Sequence, residues 1–493
     1  MRTMLMSTGS AALFYSKQPG WYGEQCSMNR NIEKSVRAFS MTIFCTLCGL
    51  ALVRVLSANA ETGVQISPPV LPKFNEQIRL QASDAAPGDN FGYHLALSGD
   101  GNTVAVGAYA RSWLTGDDAG GVYIFIRSGD TWIEEARFVG SDTTAEDRFG
   151  LVVALSADGN TLAVGAPTAS NSGGASAGKV YIFTRTAGVW TEQAKLQASD
   201  PGAGFRFGVV ALSKDGHTLA VGSWVADNSG GSRAGSAYVF ARSGRAWIQE
   251  ARLQASDGSP NAFFGVSTAL SYDGNTLAIS AYGATNSGGT NAGNAYVFTR
   301  SNGVWTQQAR LQASDAAADA IFGTRIALSA DGNTLSTGAY HAANSGGALA
   351  GNAYVFTRSG QLWTEQARLQ ASDAAAGDAF GTSTSLSSDG NLLAVGAYAK
   401  DSSGKEDAGG AYIFRRTGEV WTEQDRLQAS DASQRDYFGL RVDLSADGRT
   451  LAVSAYGDNN SGGDGAGSIY IFSAVPWKDL DSPALDLDKK SDQ

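Results

Sequence analysis

Residues 380–428 read FGTSTSLSSDGNLLAVGAYAKDSSGKEDAGGAYIFRRTGEVWTEQDRLQ, and this stretch decides the fold. It holds four β-prone segments that are separated by turn residues. Asp389-Gly390 is a hairpin signal, because a tight connection needs residues that adopt a positive φ. Leu392–Ala397 is apolar throughout, as expected of a strand that is covered on both faces. Short segments without a helical period predict one four-stranded antiparallel sheet.

This pattern recurs seven times along the chain. Phe-Gly pairs mark the copies at intervals of 57 or 58 residues, and they begin at Phe91, Phe149, Phe207, Phe264, Phe322, Phe380 and Phe438. One such sheet cannot bury both of its faces alone, whereas seven sheets stacked around a ring can. The sequence therefore predicts an all-β fold, a seven-bladed β-propeller of four-stranded antiparallel blades.

Only six copies are complete in chain order. A tryptophan begins the fourth strand at Trp132, Trp190, Trp247, Trp305, Trp363 and Trp421, and the seventh fourth strand is missing at the C-terminus. A matching segment instead precedes the first copy, at residues 74–84 (FNEQIRLQASD), and it begins 58 residues before Trp132. We expect this N-terminal strand to pair with residues 468–472 of the last blade and to close the ring.

The first 60 residues have the features of a secretory leader. Residues 29–37 are basic, residues 40–53 are apolar but short for a membrane span, and residues 58–60 (ANA) fit a small-x-small cleavage pattern. Met28 stands just upstream, so residues 1–27 are interpreted as a mis-called start. The alternative is a single N-terminal anchor helix. Cleavage predicts a secreted, periplasmic or cell-surface protein with no transmembrane span in the mature chain.

Three further regions follow the leader. Residues 61–70 are interpreted as a linker, residues 71–473 as the propeller, and residues 474–493 as an acidic, disordered tail. All three cysteines precede residue 49. Packing rather than disulfides must therefore stabilise the propeller.

The chain is acidic. Its formal charge is −10 at pH 7, and loss of the leader, which carries six basic and two acidic residues, would leave −14. Such a surface repels nucleic acid and anionic lipid. It suits cations or partners with basic patches, and we expect a monomer.

The repeats resemble the FG-GAP repeats of integrin α-subunits and their bacterial relatives. The second copy contains Phe149-Gly150 and then Gly165-Ala166-Pro167, and the resemblance extends over residues 71–473. It implies a seven-bladed propeller and suggests extracellular binding or adhesion, with an unidentified protein or glycan as the ligand.

The chain departs from this family at the calcium loops. Calcium-binding members carry Asp-x-Asp-x-Asp-Gly-x-x-Asp between the first two strands, whereas residues 155–161 (LSADGNT) keep only Asp158. The last copy comes slightly closer to the calcium-binding motif, because it has two acids, Asp443 and Asp447. Because a hard cation takes six or more oxygen ligands, we expect hairpin turns at these loops and no cofactor, with calcium as the alternative.

One aspartate recurs in every copy, at the end of the fourth strand. The seven positions are Asp84, Asp142, Asp200, Asp257, Asp315, Asp373 and Asp431. A second acid often precedes the next Phe-Gly, at Asp89, Asp147, Asp378 and Asp436. The functional interpretation is a ring of acidic loops that holds cations. The structural interpretation, which we favour, is that each recurrent aspartate caps its own turn by accepting backbone N–H bonds.

The predicted mature chain has little catalytic material. It has three histidines, at three different repeat positions, and no cysteine, so a shared triad or metal site is not expected. First strands line the channel of a propeller, and most copies place small or neutral residues there. Four residues break that pattern and are candidates for the channel lining: His94, Arg325, Arg441 and Asp443. The alternative is that channel water solvates them.

Functional residues are sought where the copies diverge. In propellers, the loops that join strands two and three, and strand four to the next blade, share one face. Five copies carry Asn-Ser-Gly-Gly there, blades 1 and 6 do not, and blade 3 adds Trp224 and Asp227 before it. The candidate ligand-binding residues are Trp113, Asp117, Asp118, Trp224, Asp227, Lys400, Asp401 and Lys405. Both tryptophans could stack on a sugar or anchor a protein. Loop packing is the simpler interpretation, and we favour it.

These observations favour an exported, non-enzymatic binding or adhesion module. One alternative is an enzyme acting on carbohydrates or esters, with its site at the channel mouth and an acid such as Asp443. The other is a purely structural envelope protein.

Overall fold

The computed structural model describes residues 73–112 and 116–474. This region is all-β, and its 28 strands form seven four-stranded antiparallel sheets. The strands are β1 (Asn75–Leu80); in blade 1, β2 (Phe91–Leu97), β3 (Thr103–Ala108), β4 (Gly121–Ser128) and β5 (Thr131–Phe138); in blade 2, β6 (Val152–Leu155), β7 (Thr161–Ala166), β8 (Lys179–Thr186) and β9 (Val189–Leu196); in blade 3, β10 (Val209–Leu212), β11 (Thr218–Ser223), β12 (Ser236–Ser243) and β13 (Ala246–Leu253); in blade 4, β14 (Thr268–Leu270), β15 (Thr276–Ala281), β16 (Asn294–Ser301) and β17 (Val304–Leu311); in blade 5, β18 (Ile326–Leu328), β19 (Thr334–Ala339), β20 (Asn352–Ser359) and β21 (Leu362–Leu369); in blade 6, β22 (Phe380–Leu386), β23 (Leu392–Ala397), β24 (Gly410–Thr417) and β25 (Val420–Leu427); and in blade 7, β26 (Val442–Leu444), β27 (Thr450–Ala455) and β28 (Ser468–Ser473).

The predicted seven-bladed propeller is confirmed. Every second strand is buried along its whole length, as the apolar runs predicted. The Phe of each Phe-Gly pair packs edge-on against two rings of the third strand of its own blade. In blade 6, the Phe380 ring lies 5.3 Å from Tyr412 and 5.9 Å from Phe414 between ring centres. The core therefore consists of seven similar layers between blades rather than one central mass.

Glycine allows neighbouring blades to approach closely. A Cβ added to Gly338 of blade 5 would lie 1.7 Å from the carbonyl oxygen of Gly381 in blade 6. No side chain fits in that space, so these glycines are required by packing between blades rather than by a turn.

The N-terminal strand closes the ring, as predicted. β1 pairs antiparallel with β28, so blade 7 has the order β1-β28-β27-β26. Leu80 and Phe74 are buried, at 5% and 8% exposure. Arg79 forms ion pairs at 2.5 Å with Asp431 and with Asp458, whose side chain is buried. Apolar burial and a buried ion pair therefore both hold the two ends of the chain together.

The leader (residues 1–60), the linker (61–70) and all but the first residue of the acidic tail lie outside the described residues. Within the described residues, no helix is long and apolar enough to cross a bilayer.

Candidate functional site

One side of the ring carries the loops between the second and third strands and the loops that lead into the next blade. We call it the loop face. Here the two loop types hydrogen-bond to each other: the backbone N–H groups of Glu146 and Arg148 donate to the carbonyl oxygens of Asp117 and Asp118, at 2.8 and 3.2 Å. The opposite side carries the Asp-Gly hairpins and is the turn face. Backbone hydrogen bonds between neighbouring loops therefore hold the loop face together.

The seven recurrent aspartates lie just beneath the loop face, and each joins two neighbouring blades. Each accepts a hydrogen bond of 2.7–2.9 Å from a buried third-strand tyrosine of the next blade; these tyrosines are Tyr123, Tyr181, Tyr238, Tyr296, Tyr354, Tyr412 and Tyr470. Each aspartate also pairs with an arginine or a lysine within 3.4 Å. Protein cations and phenol groups thus occupy the carboxylates that a metal ion would need.

The electrostatics of Asp373 agree with that arrangement. Burial alone would raise the pKa of Asp373, but the Tyr412 hydroxyl, Lys400 and Arg426 lower it below its ordinary value. Burial raises the pKa of Tyr412, and the carboxylate that its hydroxyl faces raises it further. The aspartate therefore stays ionised and the tyrosine stays protonated at neutral pH.

The second acids, rather than the recurrent aspartates, cap the turns. Asp89, Asp147, Asp378 and Asp436 accept the backbone N–H of the residue three positions earlier. Burial, together with the charges of Asp458 and Asp431, raises the pKa of Asp436 to about 6. Its Oδ1 atom is buried without a hydrogen-bond partner in the described residues. The sequence predicted the capping role but placed it on the wrong aspartate of the pair.

The candidate residues in the irregular loop of blade 6 are held in place by ion pairs and hydrogen bonds. Lys400 lies 3.4 Å from Asp373 and 3.3 Å from Asp378, so it belongs to a structural ion cluster. Lys405 donates to a backbone carbonyl, and Asp401 accepts the N–H of Asp407 at 3.1 Å.

Blades 1 and 3 supply the other loop candidates. Asp227 accepts the backbone N–H of Arg233 at 2.9 Å. The carbonyl oxygens of Asp117 and Asp118 hold the neighbouring loop, as described above. Trp224 is half-buried, and the guanidinium carbon of Arg206 lies 5.2 Å from the centre of the Trp224 ring. Trp113 lies outside the described residues.

A set of half-buried aromatic rings surrounds the channel on the loop face. We call this set the aromatic belt, and its members are Tyr93, Tyr109, Trp224, Phe263, Tyr282, Tyr340, Tyr398, Tyr437 and Tyr456. Ring centres lie 4.6–5.9 Å apart along two arcs, from Tyr398 through Tyr437, Tyr456 and Tyr93 to Tyr109, and from Trp224 through Phe263 to Tyr282. Sequence reasoning missed the belt, although the tyrosine that follows the second strand in five copies was visible in the Gly-Ala-Tyr and Ser-Ala-Tyr motifs.

The four predicted channel residues do line one cavity. It has a volume of about 220 Å³ and runs along the first strands. His94, Arg325 and Arg441 occupy the same repeat position near the loop face. His94 is the register partner of Gly107 in the second strand. The backbone carbonyls of Arg325 and Arg441 accept hydrogen bonds from Gly338 and Ser454, which hold the matching position in their blades. Asp443 lies one step deeper, where it accepts the backbone N–H of Leu97 at 2.8 Å and the Ser385 hydroxyl at 2.9 Å.

The remaining histidines do not line this cavity. His217 is exposed in a hairpin turn, and the ring of His341 is tilted by 60° against that of Tyr340, with ring centres 4.2 Å apart. Within residues 73–112 and 116–474, no three His, Cys, Asp or Glu side chains converge as metal ligands would.

Comparison with known families assigns the repeat. A model of the FG-GAP repeat matches seven segments, at residues 74–125, 132–183, 190–240, 247–298, 305–356, 363–414 and 421–472. The chain belongs to the FG-GAP repeat family. FG-GAP repeats are typical of extracellular proteins, and an FG-GAP propeller is a ligand-binding or structural module that is typically non-enzymatic. No curated protein matches the chain.

Proposed function

We propose that this FG-GAP propeller is an exported, non-enzymatic binding or adhesion module that takes a protein or glycan ligand on its loop face. The observation that carries the proposal is the aromatic belt. Aromatic side chains supply large contact area at a low entropic cost and are enriched at binding hot spots. Nine of them lie around the channel on the loop face.

Two further observations support a binding rather than a catalytic role. The recurrent aspartates beneath the loop face are engaged by tyrosines and cations, so these seven acids are poor candidates for proton transfer. Asp443, the acid of the enzyme alternative, is held between blades 1 and 6 by two hydrogen bonds. Such a group serves the closure of the ring.

Export and ligand binding by the loop face are tested in separate experiments. N-terminal sequencing of the exported protein should begin near residue 61, and a mature N-terminus well before residue 58 would refute cleavage. For binding, a glycan array and a cell-binding assay should identify a ligand. Trp224→Ala should then weaken binding at least tenfold.

The matched control for that variant is Tyr272→Ala. Tyr272 is 49% exposed but lies in an Asp-Gly hairpin on the turn face. Loop-face binding predicts that its loss has no effect. Equal loss in both variants, or in neither, would contradict the proposal. Hydrolysis of a carbohydrate or ester that disappears in Asp443→Asn would instead favour the enzyme.

A further inference from the structure

Two arginines and one histidine break the sevenfold pattern at one level of the channel. The first strands place seven side chains at this level: His94, Val152, Val209, Ser267, Arg325, Ser383 and Arg441. Arg325 and Arg441 are close enough to repel each other and to act together on His94. Three of the seven blades thus place a large polar side chain at this level of the channel.

Neither arginine has a counter-ion in the described chain. Arg325 forms no side-chain hydrogen bond or ion pair with any described residue, and its Nε atom is buried without a partner. Arg441 is 6% exposed, donates through Nη1 only to the carbonyl oxygen of Leu440, and leaves its own Nε unsatisfied. Its guanidinium carbon also lies 5.5 Å from the centre of the Tyr93 ring. Since a buried charge without a partner is costly, a bound anion would relieve this arrangement.

The neighbouring tyrosines can add hydrogen-bond donors to this pair. The hydroxyls of Tyr93, Tyr340 and Tyr456 lie within electrostatic reach of the two guanidinium groups. Burial raises the pKa of Tyr340 and of Tyr456, so both keep their protons at neutral pH. Burial, together with Arg441 and Arg325, lowers the pKa of His94 well below its ordinary value, so the imidazole is neutral.

The histidine adds no charge to this part of the channel. Its Nδ1 atom faces the backbone N–H of Val153 at 3.5 Å. The nearest acid in the channel, Asp443, has one oxygen bound to Leu97 and the other to Ser385. The site therefore combines guanidinium groups with phenol hydroxyls and contains no free carboxylate among the described residues.

We infer that the loop-face mouth of the channel binds a small oxyanionic group, a carboxylate, sulfate or phosphate, between Arg325 and Arg441. The channel cavity of about 220 Å³ extends from this level toward the turn face and has room for such a group. The body of the ligand would lie against the aromatic belt. This inference rests on the proposed function for the source of the anion, but not for binding of the anion itself.

The experiment is calorimetric titration of the full propeller with sodium sulfate, sodium phosphate and sodium glucuronate, at constant sodium chloride and pH 7. Glucose is the uncharged control for glucuronate. The test variant is Arg325→Ser/Arg441→Ser, because blades 4 and 6 already carry serine at this level and the ring tolerates it there. The wild type should show saturable binding of at least one anion with a stoichiometry of one. The double variant should bind at least tenfold more weakly.

A second variant separates this site from nonspecific charge. Arg245→Ser removes an exposed arginine from a hairpin on the turn face and should leave the titration unchanged. Anion binding that is equal in all three proteins, or no binding of any of the three anions to the wild type, overturns the inference. Binding of glucuronate alone identifies an acidic saccharide as the source, and binding of sulfate or phosphate alone identifies a sulfated or phosphorylated ligand.

The two proposals fail in different ways. A loop-face ligand whose affinity is unchanged in Arg325→Ser/Arg441→Ser would leave the proposed function intact and overturn the oxyanion site. Specific anion binding by a propeller that has no ligand on the loop face would do the reverse.

Discussion

Removal of β1 should open the ring and unfold much of it. The deletion of residues 1–81 removes Phe74 and Leu80, whose burial is worth about 1.5–3 kcal/mol each. It also leaves the buried carboxylate of Asp458 without Arg79, which costs about 3–5 kcal/mol. The total of about 6–11 kcal/mol is comparable to the free energy of unfolding of a typical domain.

The assay for this prediction is urea unfolding followed by circular dichroism, with the deletion of residues 1–72 as the matched control. The control removes only residues that precede the described strands and should keep the full midpoint. The longer deletion should lower the midpoint strongly and expose the edge of β28. A synthetic peptide of residues 73–84 should raise the midpoint again in proportion to the logarithm of its concentration. Equal midpoints for the two deletions would refute closure by β1.

Three substitutions test other parts of the fold. Asp436→Asn should stabilise the protein at pH 7 by up to about 3 kcal/mol, because burial raises the pKa of this carboxyl from 3.8 to about 6 and so penalises its charged form. The gain should disappear as the pH falls through 6 toward 3.8, and a gain that persists at pH 3 would refute the electrostatic cause. Gly338→Ala should cost more than the ~1–3 kcal/mol of ordinary overpacking, because its Cβ would lie 1.7 Å from a backbone oxygen. The control Gly360→Ala has open space around the Cβ and should cost about 1 kcal/mol. Equal thermal midpoints for the two variants would contradict this prediction. Tyr354→Phe should cost about 1.5–3 kcal/mol by losing its hydrogen bond to a carboxylate, and the exposed Tyr272→Phe should cost nothing; no difference between them in urea would exclude the aspartate-tyrosine bond as a stabilising contact.

The strand pattern was predictable because it depends on local chemistry and on spacing. Asp-Gly turns and apolar runs define each hairpin, and the interval between Phe-Gly pairs defines the number of blades. In blade 6, Leu392–Ala397 was predicted with its observed ends. The exact ends of the first strand, Phe380–Leu386, were not predictable in this way, because the hydrogen-bond ladder rather than residue preference decides where a strand ends.

The closing strand was also predictable, since the missing fourth strand and the extra N-terminal segment have the same residue pattern. The sequence by itself thus determined the fold, the number of blades and the way in which the ring closes. These properties repeat along the chain, and repetition makes them visible.

Only the tertiary structure decided which polar groups meet. The recurrent aspartates bond to tyrosines 38 or 39 residues away in the next blade, so no local turn could reveal the pairing. The arginines of the channel were visible as exceptions at one repeat position, but their lack of a counter-ion depends on what every other blade places beside them. Contacts between blades are set by the geometry of the closed ring, and that geometry brings Arg325 and Arg441 together across 116 residues of sequence.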